Sequence, residues 1–329
     1  MPFERKPEWL KVRAPGGERY GRIKELLRTY DLHTVCEEAR CPNVGECWSE
    51  GTATVMILGD VCTRGCRFCA VTTGNPRGAY DPREPEHVAR TIAAIELNYV
   101  VLTMVDRDDL LDGGAKHVAE TIRATHRARP GILVEALVGD FQGALRDVET
   151  VVTDGVPDVF AHNVETVERL QRTVRDARCS FARSIAVLEH AKKLAPERFT
   201  KSSIMVGIGE EPAEVLGSMR ALRDAGVDVL TLGQYLRPSA KHHEVVRYVH
   251  PDEFARFRDD GLAMGFMYVA SGPLVRSSYR ASEAFLQGAI RAGRDPAQLA
   301  LLRAAADAHV TQGHDKVATD GRRALPVVH

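Results

Sequence analysis

Three cysteines within eight residues are the first feature of this sequence that indicates chemistry. Cys62, Cys66 and Cys69 lie in the stretch GDVCTRGCRFCAVTTG, and the next cysteine along the chain is Cys179. Thiolates are soft ligands that suit iron–sulfur clusters, copper(I) or zinc. Structural zinc sites are usually closed by four protein ligands, whereas a 4Fe-4S cluster held by three cysteines keeps one iron open to an external ligand. The spacing C-x3-C-x2-C therefore favours a cluster with one open iron over a zinc site.

A second group of three cysteines precedes this loop. Cys36, Cys41 and Cys47 lie in CEEARCPNVGECW with the spacing C-x4-C-x5-C, which again offers three thiolates without a fourth. The chain has seven cysteines, an odd number, and six of them lie between positions 36 and 69. In a reducing compartment such clustering indicates metal or redox chemistry rather than disulfides. A second cluster would serve electron transfer, substrate ligation or sulfur donation.

Six apolar, β-branched runs alternate with helical patterns and form the frame that must position these cysteines. The runs lie at residues 52–58, 99–105, 131–138, 158–163, 202–208 and 227–233. Runs that are apolar on both faces predict buried parallel strands, and the intervening apolar residues recur at the helical spacing of three or four. The alternation predicts an α/β fold, namely a partial (β/α)6 TIM barrel, with a doubly wound open sheet as the alternative.

The position of the first cysteine loop agrees with a role in chemistry. It directly follows the first predicted strand, and in both architectures active sites lie at the carboxyl edge of the sheet. We divide the chain into an N-terminal extension with the second triplet (1–50), the barrel (51–275) and a C-terminal segment with a helical tail (276–329).

Composition excludes several other classes of function. With 44 basic and 45 acidic side chains, the chain has no global field that would attract nucleic acid or an anionic membrane. No apolar run is long enough for a spanning helix, and the first residues lack the apolar core of a signal peptide. We therefore expect a cytoplasmic protein that binds neither nucleic acid nor membrane.

The motifs together resemble one enzyme family. The spacing of the first triplet after a first strand is typical of the radical S-adenosylmethionine (SAM) superfamily, and Phe68 before the last cysteine also matches. From about residue 30 to 280 the chain is similar to the lipoyl synthase family; the similarity includes both triplets and the stretches VLTMVDRDDLLDGGA, DVFAHNVETV, TKSSIMVGIGE, LTLGQYLRPS and ASGPLVRSSY. The resemblance implies two 4Fe-4S clusters, SAM as cosubstrate, and insertion of sulfur at C6 and C8 of a protein-bound octanoyl-lysine, with the auxiliary cluster as sulfur donor.

The resemblance also assigns a ligand far from the cysteines. In this family the second serine of an Arg-Ser-Ser-Tyr sequence completes the auxiliary cluster, and Ser278 holds that position here. An alkoxide is a harder ligand than a thiolate and is displaced more easily, which suits a cluster that must be opened. From the residues alone, the favoured interpretation is a helix cap before YRASEAFLQ, and only the resemblance favours the ligand role.

Four polar residues near predicted strand ends are candidate SAM contacts. Asp106 and Asp108 follow the second strand, where carboxylates can bind ribose hydroxyls or the ammonium group; the alternative is that they cap the next helix. Glu135 lies near the end of the third strand, and its alternative role is a paired charge at the rim. Asn163 follows the fourth strand and offers a polar contact.

Three further residues receive no role at the site. Cys179 stands alone in RDARCSFARS, and we interpret it as a free thiol without a cluster role. His242 and His243 are adjacent in PSAKHHEV. We interpret them as a surface pair, since adjacent side chains on an extended loop point apart.

The resemblance implies partners as well. These are octanoylated lipoyl carrier domains (E2 subunits of 2-oxoacid dehydrogenases and the glycine cleavage H protein), an electron donor such as ferredoxin or flavodoxin, and a carrier that repairs the auxiliary cluster. Two alternatives stay open: another radical SAM enzyme that inserts sulfur or methylthio groups, and a non-enzymatic iron–sulfur or zinc-binding protein.

Overall fold

A mostly parallel sheet is the core of the protein. The computed structural model describes residues 7–10, 18–29, 33–34, 44, 54–95, 97–292 and 295–319. The strands are β1 His33–Thr34, β2 Thr54–Ile57, β3 Val61–Cys62, β4 Thr72–Thr73, β5 Tyr99–Met104, β6 Leu133–Leu137, β7 Val159–Ala161, β8 Phe199–Val206, β9 Val229–Gln234 and β10 Tyr268–Gly272. The main sheet has the order β1-β2-β5-β6-β7-β8-β9-β10, in which only β1 is antiparallel to its neighbour. Strands β3 and β4 form a separate parallel pair.

Helices connect the parallel strands. They are α1 Glu18–Thr29, α2 Glu84–Ile95, α3 Ala115–Ala128, α4 Leu145–Glu149, α5 Gln171–Val174, α6 Phe181–Leu194, α7 Pro212–Asp224, α8 Pro251–Ala263, α9 Arg280–Ala292 and α10 Pro296–Thr319. Single helical turns lie at Glu8–Leu10, Phe141–Gly143, Thr150–Gly155 and Glu168–Leu170. In the described part of the chain, none of these helices is both long and apolar enough to cross a membrane.

The alternation of side chains along each strand builds two apolar layers. In β5, Val100 and Leu102 pack with the helices, whereas Tyr99 and Val101 belong to a second core on the other face of the sheet. Because both faces are covered, the strands consist of apolar, β-branched residues rather than alternating polar ones.

Helix α9 belongs to this second core. Phe285 stacks on Tyr268 with ring centroids 4.8 Å apart, and both rings are buried. Tyr268 is the first residue of β10, and the same core contains the first residues of five other strands. The C-terminal helix therefore lies at the amino ends of the strands, which leaves their carboxyl ends to the loops.

The strand order decides between the two predicted architectures. From β2 to β10 the order in the sheet follows the order in the chain, and every pairing is parallel. A doubly wound sheet reverses its strand order at a switch point, so that alternative is wrong. All six predicted strands are confirmed, and the run FMYVASGP adds β10 as a seventh. Among the described residues β2 and β10 are not paired with each other, as expected of a partial barrel.

Candidate functional site

A strained turn leads from β2 into the first cysteine loop. Leu58 has a φ of 68°, which is costly for a residue with a side chain. Its backbone is held from two sides, because its N–H donates to the Glu84 carboxylate at 2.8 Å and its carbonyl accepts from Arg107 at 3.2 Å. The side chain packs on Gly114, where a Cβ atom would overlap with it. Surrounding contacts thus fix the direction in which the loop leaves the sheet.

The cysteine loop is closed at its base and lined with backbone donors. Cys62 belongs to β3, which pairs with β4 on the far side of the loop. The Cys62 sulfur accepts from the Arg64 N–H at 3.4 Å, and the Cys66 sulfur accepts from the Asp176 N–H at 3.3 Å. Burial raises the pKa of the Cys62 thiol, and it raises the pKa of Cys69 to about 11. Binding of iron must therefore displace protons from these thiols.

The arrangement of the thiols is compatible with a cluster. Within the residues that the structure describes, no three His, Cys, Asp or Glu side chains converge closely enough to hold one metal ion. A 4Fe-4S cluster binds each cysteine through a different iron, so its ligands do not need to meet at one point. Three half-buried cysteines on one loop meet that requirement.

A buried arginine ties the loop to the neighbouring strand ends. Arg64, between the first two cysteines, donates to both oxygens of Asp108 at 2.9 and 3.0 Å and to Asp140 at 2.6 Å. Asp106 lies 3.6 Å from the same guanidinium. These carboxylates follow β5 and β6, so one side chain joins the loop to two other parts of the carboxyl edge.

The segment after α5 holds the loop from the opposite side. The Asp176 carboxylate accepts from the Gly65 N–H at 2.8 Å. Arg178 donates to the Thr63 carbonyl at 2.6 Å and to Asp108 at 2.9 Å. With Arg64, these contacts immobilise the residues between Cys62 and Cys66.

The structure places Asp106 and Asp108 after β5 and beside the cysteine loop, and their contact with SAM stays a prediction. Both oxygens of Asp108 are engaged by arginines, and its side chain is only 12 % exposed. Asp106 is 23 % exposed. Its pKa is raised to about 6, mainly by desolvation, with Arg64 opposing and Asp140 adding to the shift. The predicted role as helix caps is not seen, because the N-cap of α3 is Gly114.

Glu135 and Asn163 occupy different surroundings. Glu135 is fully buried on β6, where its carboxylate accepts from Lys201 at 2.8 Å and from the Tyr99 hydroxyl at 2.6 Å. Asn163 is half-buried beyond the end of β7, where its side chain acts to lower the pKa of Glu165. Desolvation raises the pKa of Glu165. Asn163 is therefore accessible at the carboxyl edge, whereas Glu135 is covered by its partners.

Ser278 has a buried oxygen without a partner. Its Oγ is inaccessible to solvent, yet it makes no hydrogen bond to any described residue. The first bond of α9 runs from the Ser282 N–H to the Tyr279 carbonyl, and the Ser278 side chain takes no part in it. The helix-cap interpretation is therefore wrong. A buried polar oxygen without a partner fits a metal ligand, although Cys36, Cys41 and Cys47 lie outside the described residues.

Two residues that the sequence analysis set aside contact the cysteine loop through their side chains. The Cys179 sulfur accepts from Arg64 at 3.3 Å, and the Cys179 N–H donates to the carbonyl of Asp176, whose own N–H donates to the Cys66 sulfur. His242 is half-buried, with Nε2 3.0 Å from the Cys69 carbonyl, so the surface interpretation is wrong for this histidine. Both residues are distant from the loop in sequence and lack a motif of their own, so only the folded chain shows these contacts.

Comparisons with known proteins identify the family. The model of the Radical SAM superfamily matches residues 56–222, and that of the N-terminal domain of lipoyl synthase matches residues 3–41. The lipoyl synthase of Sorangium cellulosum is 63% identical over 305 residues, covering 88% of this chain and 82% of that protein. The lipoyl synthase of Anaeromyxobacter dehalogenans is 58% identical, covering 89% and 99%, and that of Thermus thermophilus is 57% identical, covering 88% and 90%. The chain therefore belongs to the lipoyl synthase family of the radical SAM superfamily.

Proposed function

We propose that this radical SAM enzyme inserts sulfur at C6 and C8 of an octanoyl group attached to a lysine of a lipoyl carrier domain. Ser278 carries the proposal, because its buried oxygen has no partner among the described residues and matches the position of the auxiliary ligand. Other radical SAM enzymes share the first cysteine loop, whereas a serine ligand paired with a second triplet is particular to this family.

The first triplet is proposed to hold the SAM-binding cluster. Cys62, Cys66 and Cys69 supply three thiolates, and Arg64 and Asp176 keep the loop in place through buried or charged hydrogen bonds. When bound, the cluster and SAM supply a 5′-deoxyadenosyl radical, and the auxiliary cluster supplies the sulfur. Cys62, Cys66 and Cys69 would hold this cluster on the loop at the carboxyl edge of the sheet.

Three polar residues are proposed to shape the SAM pocket. Asp106 and Asn163, which retain exposed surface, contact the cosubstrate directly. Asp108 acts through the cations that it binds, because its oxygens are already engaged by Arg64 and Arg178. Glu135 is left out of this pocket, because it is fully buried and bonded to Tyr99 of the core at the amino ends of the strands. A charge held by fixed partners needs little reorganisation during the reaction.

A second 4Fe-4S cluster is proposed on Cys36, Cys41, Cys47 and Ser278. An alkoxide ligand is harder than a thiolate, which favours its release when sulfur leaves the cluster. The proposed partners are octanoylated E2 subunits or the glycine cleavage H protein, a ferredoxin or flavodoxin as electron donor, and a carrier that repairs the cluster.

Mass spectrometry of an octanoyl-lysyl peptide tests the proposal. The anaerobically reconstituted protein, with SAM and dithionite, is expected to add two sulfurs per peptide and to release 5′-deoxyadenosine. Cleavage of SAM without sulfur addition would favour a different radical SAM reaction. Absence of 5′-deoxyadenosine from a fully loaded protein would leave only the non-enzymatic alternative.

A pair of adjacent serines provides a matched test of the ligand. Ser278→Ala is expected to lower the sulfurs added per chain at least about tenfold, whereas Ser277→Ala, one residue away, should change them little. Ser278→Cys should retain iron, because a thiolate can replace the alkoxide as a ligand. Equal sulfur addition by the Ser278→Ala protein would contradict the assigned ligand.

A further inference from the structure

Four cations on and beside the cysteine loop have no carboxylate partner among the described residues. The chain as a whole is close to neutral, so a strong electrostatic field can only be local. Three of these side chains are exposed and the fourth, Arg237, is half-buried. We call the group the basic patch, and its members are Arg67, Arg172, Arg237 and Lys241.

Backbone hydrogen bonds bring three members of the basic patch together. The Arg67 N–H donates to the Val174 carbonyl at 2.8 Å, and Arg172 lies two residues before Val174 on α5. The Arg67 carbonyl accepts from the His243 N–H at 2.8 Å, and Lys241 lies two residues before His243. Arg67 is therefore held between α5 and the loop after β9, and each of these two segments contributes one exposed cation.

Arg237 belongs to the same loop after β9. Its guanidinium donates to the carbonyls of His242 at 2.9 Å and Ala240 at 2.5 Å. Both acceptors are neutral, so they orient the charge without compensating it. Burial raises the pKa of Tyr235, and the positive charges of Arg237 and Arg67 oppose that rise, as expected for two cations close to one hydroxyl.

The neighbouring acidic side chains leave the basic patch positive. Asp176 is bound to Arg178, and Glu214 is bound to Arg169, so these two ion pairs add no net charge. Glu244, an exposed acid in the loop after β9, sets one negative charge against the four positive ones. A partner that covers this surface favourably must therefore be acidic.

We propose that the basic patch docks an acidic protein that reduces the cluster of the first triplet by one electron. The inference rests on the proposed function, since it requires that cluster. Arg67 lies between Cys66 and Cys69 in the chain, so a partner that contacts its exposed side chain also approaches two assigned cluster ligands. The donor is oxidised by one electron and the cluster is reduced by one, with no other group transferred. An acyl carrier must instead reach the interior of the barrel.

A flavodoxin of strongly negative net charge is the probe that tests the inference. The reconstituted protein is compared with the variant Arg172→Gln/Lys241→Gln, which leaves the cysteine loop itself unchanged. At low ionic strength the variant is expected to bind oxidised flavodoxin about tenfold more weakly in calorimetry, and reduced flavodoxin should reduce its cluster about tenfold more slowly. Added salt should remove most of the difference, because it screens exposed charges. Reduced methyl viologen, itself a cation, should reduce both proteins at equal rates.

A second double variant separates the basic patch from net charge. Arg220→Gln/Arg256→Gln removes the same charge from exposed positions on α7 and α8 and should keep the affinity for flavodoxin. Unchanged binding by the patch variant would overturn the inference, as would an equal loss in the control variant or slower reduction by methyl viologen. Weaker binding of an octanoylated carrier domain, with flavodoxin bound equally well, would assign the surface to the carrier and also overturn it.

The same experiment distinguishes failure of the inference from failure of the proposed function. If the unsubstituted protein, reduced by methyl viologen, releases no 5′-deoxyadenosine from SAM, the proposed function fails and this inference fails with it. If 5′-deoxyadenosine is released but the flavodoxin neither binds nor reduces the protein at low ionic strength, only the inference fails.

Discussion

The guanidinium of Arg64 lies 2.6 Å from Oδ1 of Asp140, and the two side chains are 1% and 0% exposed. The pair joins the cysteine loop after β2 to the segment after β6. Both charges have left water, so Asp140 depends on Arg64 and, at 3.7 Å, on Arg183, whereas Arg64 depends on Asp140 and Asp108. Arg64 also lies between Cys62 and Cys66 in the sequence. Loss of this ion pair would therefore change the positions of the two thiols as well as the stability of the carboxyl edge.

Replacement of Arg64 should therefore destabilise the fold and loosen the loop. We expect Arg64→Gln to lower the free energy of unfolding by about 3–5 kcal/mol, because buried Asp140 loses its nearer cation and keeps only Arg183 at 3.7 Å. In the double variant Arg64→Gln/Asp140→Asn, the free energy of unfolding should fall by less than the sum of the decreases in the two single variants. Urea unfolding measures the loss of stability, and iron content per chain measures the loosening of the cysteine loop.

An exposed pair provides the control for this prediction. Arg83 is 76% exposed and lies 3.6 Å from Asp81. Arg83→Gln should cost less than about 1 kcal/mol. Equal losses in the Arg64 and Arg83 variants would contradict a special role for burial.

The turn at Leu58 depends on a glycine from another segment. We expect Gly114→Ala to destabilise the protein by at least about 2 kcal/mol, because its φ of 89° is strained for alanine and the new Cβ overlaps with Leu58. Gly131→Ala has a similar φ of 84° but nothing within 4 Å of the new atom. Gly131→Ala should therefore lower the free energy of unfolding only by the backbone strain, about 1–2 kcal/mol. Similar unfolding midpoints for the two variants would argue against the packing of Leu58 on Gly114.

The sequence was sufficient for six strands of the main sheet and for the position of the cysteine loop, whereas β1, β3, β4 and β10 were not predicted. Runs of β-branched residues indicate strands that are buried on both faces, and the cysteine loop follows the first of these runs. The contacts of Arg64 could not be predicted in the same way, because Asp108 and Asp140 are 44 and 76 residues away along the chain. Cys179 is 115 residues from Arg64, and its contact depends on the turn after α5. Motifs identify the ligands, whereas the residues that hold them become visible only in the folded chain.

Glu135 is another residue whose contacts could not be predicted from the sequence, since its partners come from two other strands. Lys201→Met is expected to cost about 3–5 kcal/mol, because it leaves a fully buried carboxylate without its cation. Tyr99→Phe removes only one neutral donor to that carboxylate and should cost about 1–3 kcal/mol. The two losses of stability are compared by urea unfolding of the cluster-free proteins under anaerobic conditions. A larger loss in the tyrosine variant would show that the ion pair is not the main support of Glu135.

His162 should make stability depend on pH. Its Nδ1 donates to the Val138 carbonyl at 2.8 Å, and its Nε2 lies 2.9 Å from Ser184 Oγ. Burial lowers its pKa from 6.5 to about 4, with nearby Arg175 acting in the same direction. Between these values the unfolded chain binds a proton that the folded chain does not, so the free energy of unfolding falls as the pH is lowered from 6.5 towards 4.

The slope of that fall can be measured against a variant that does not titrate. One such group contributes at most roughly 1.4 kcal/mol per pH unit within the window. His162→Gln, which keeps a side chain able to donate and accept, should show a shallower slope in urea unfolding from pH 7 to pH 5. His250→Gln, at a side chain that is 61% exposed, should keep the slope of the unsubstituted protein. If His162→Gln retained the full slope, another group would have to account for the loss of stability in acid.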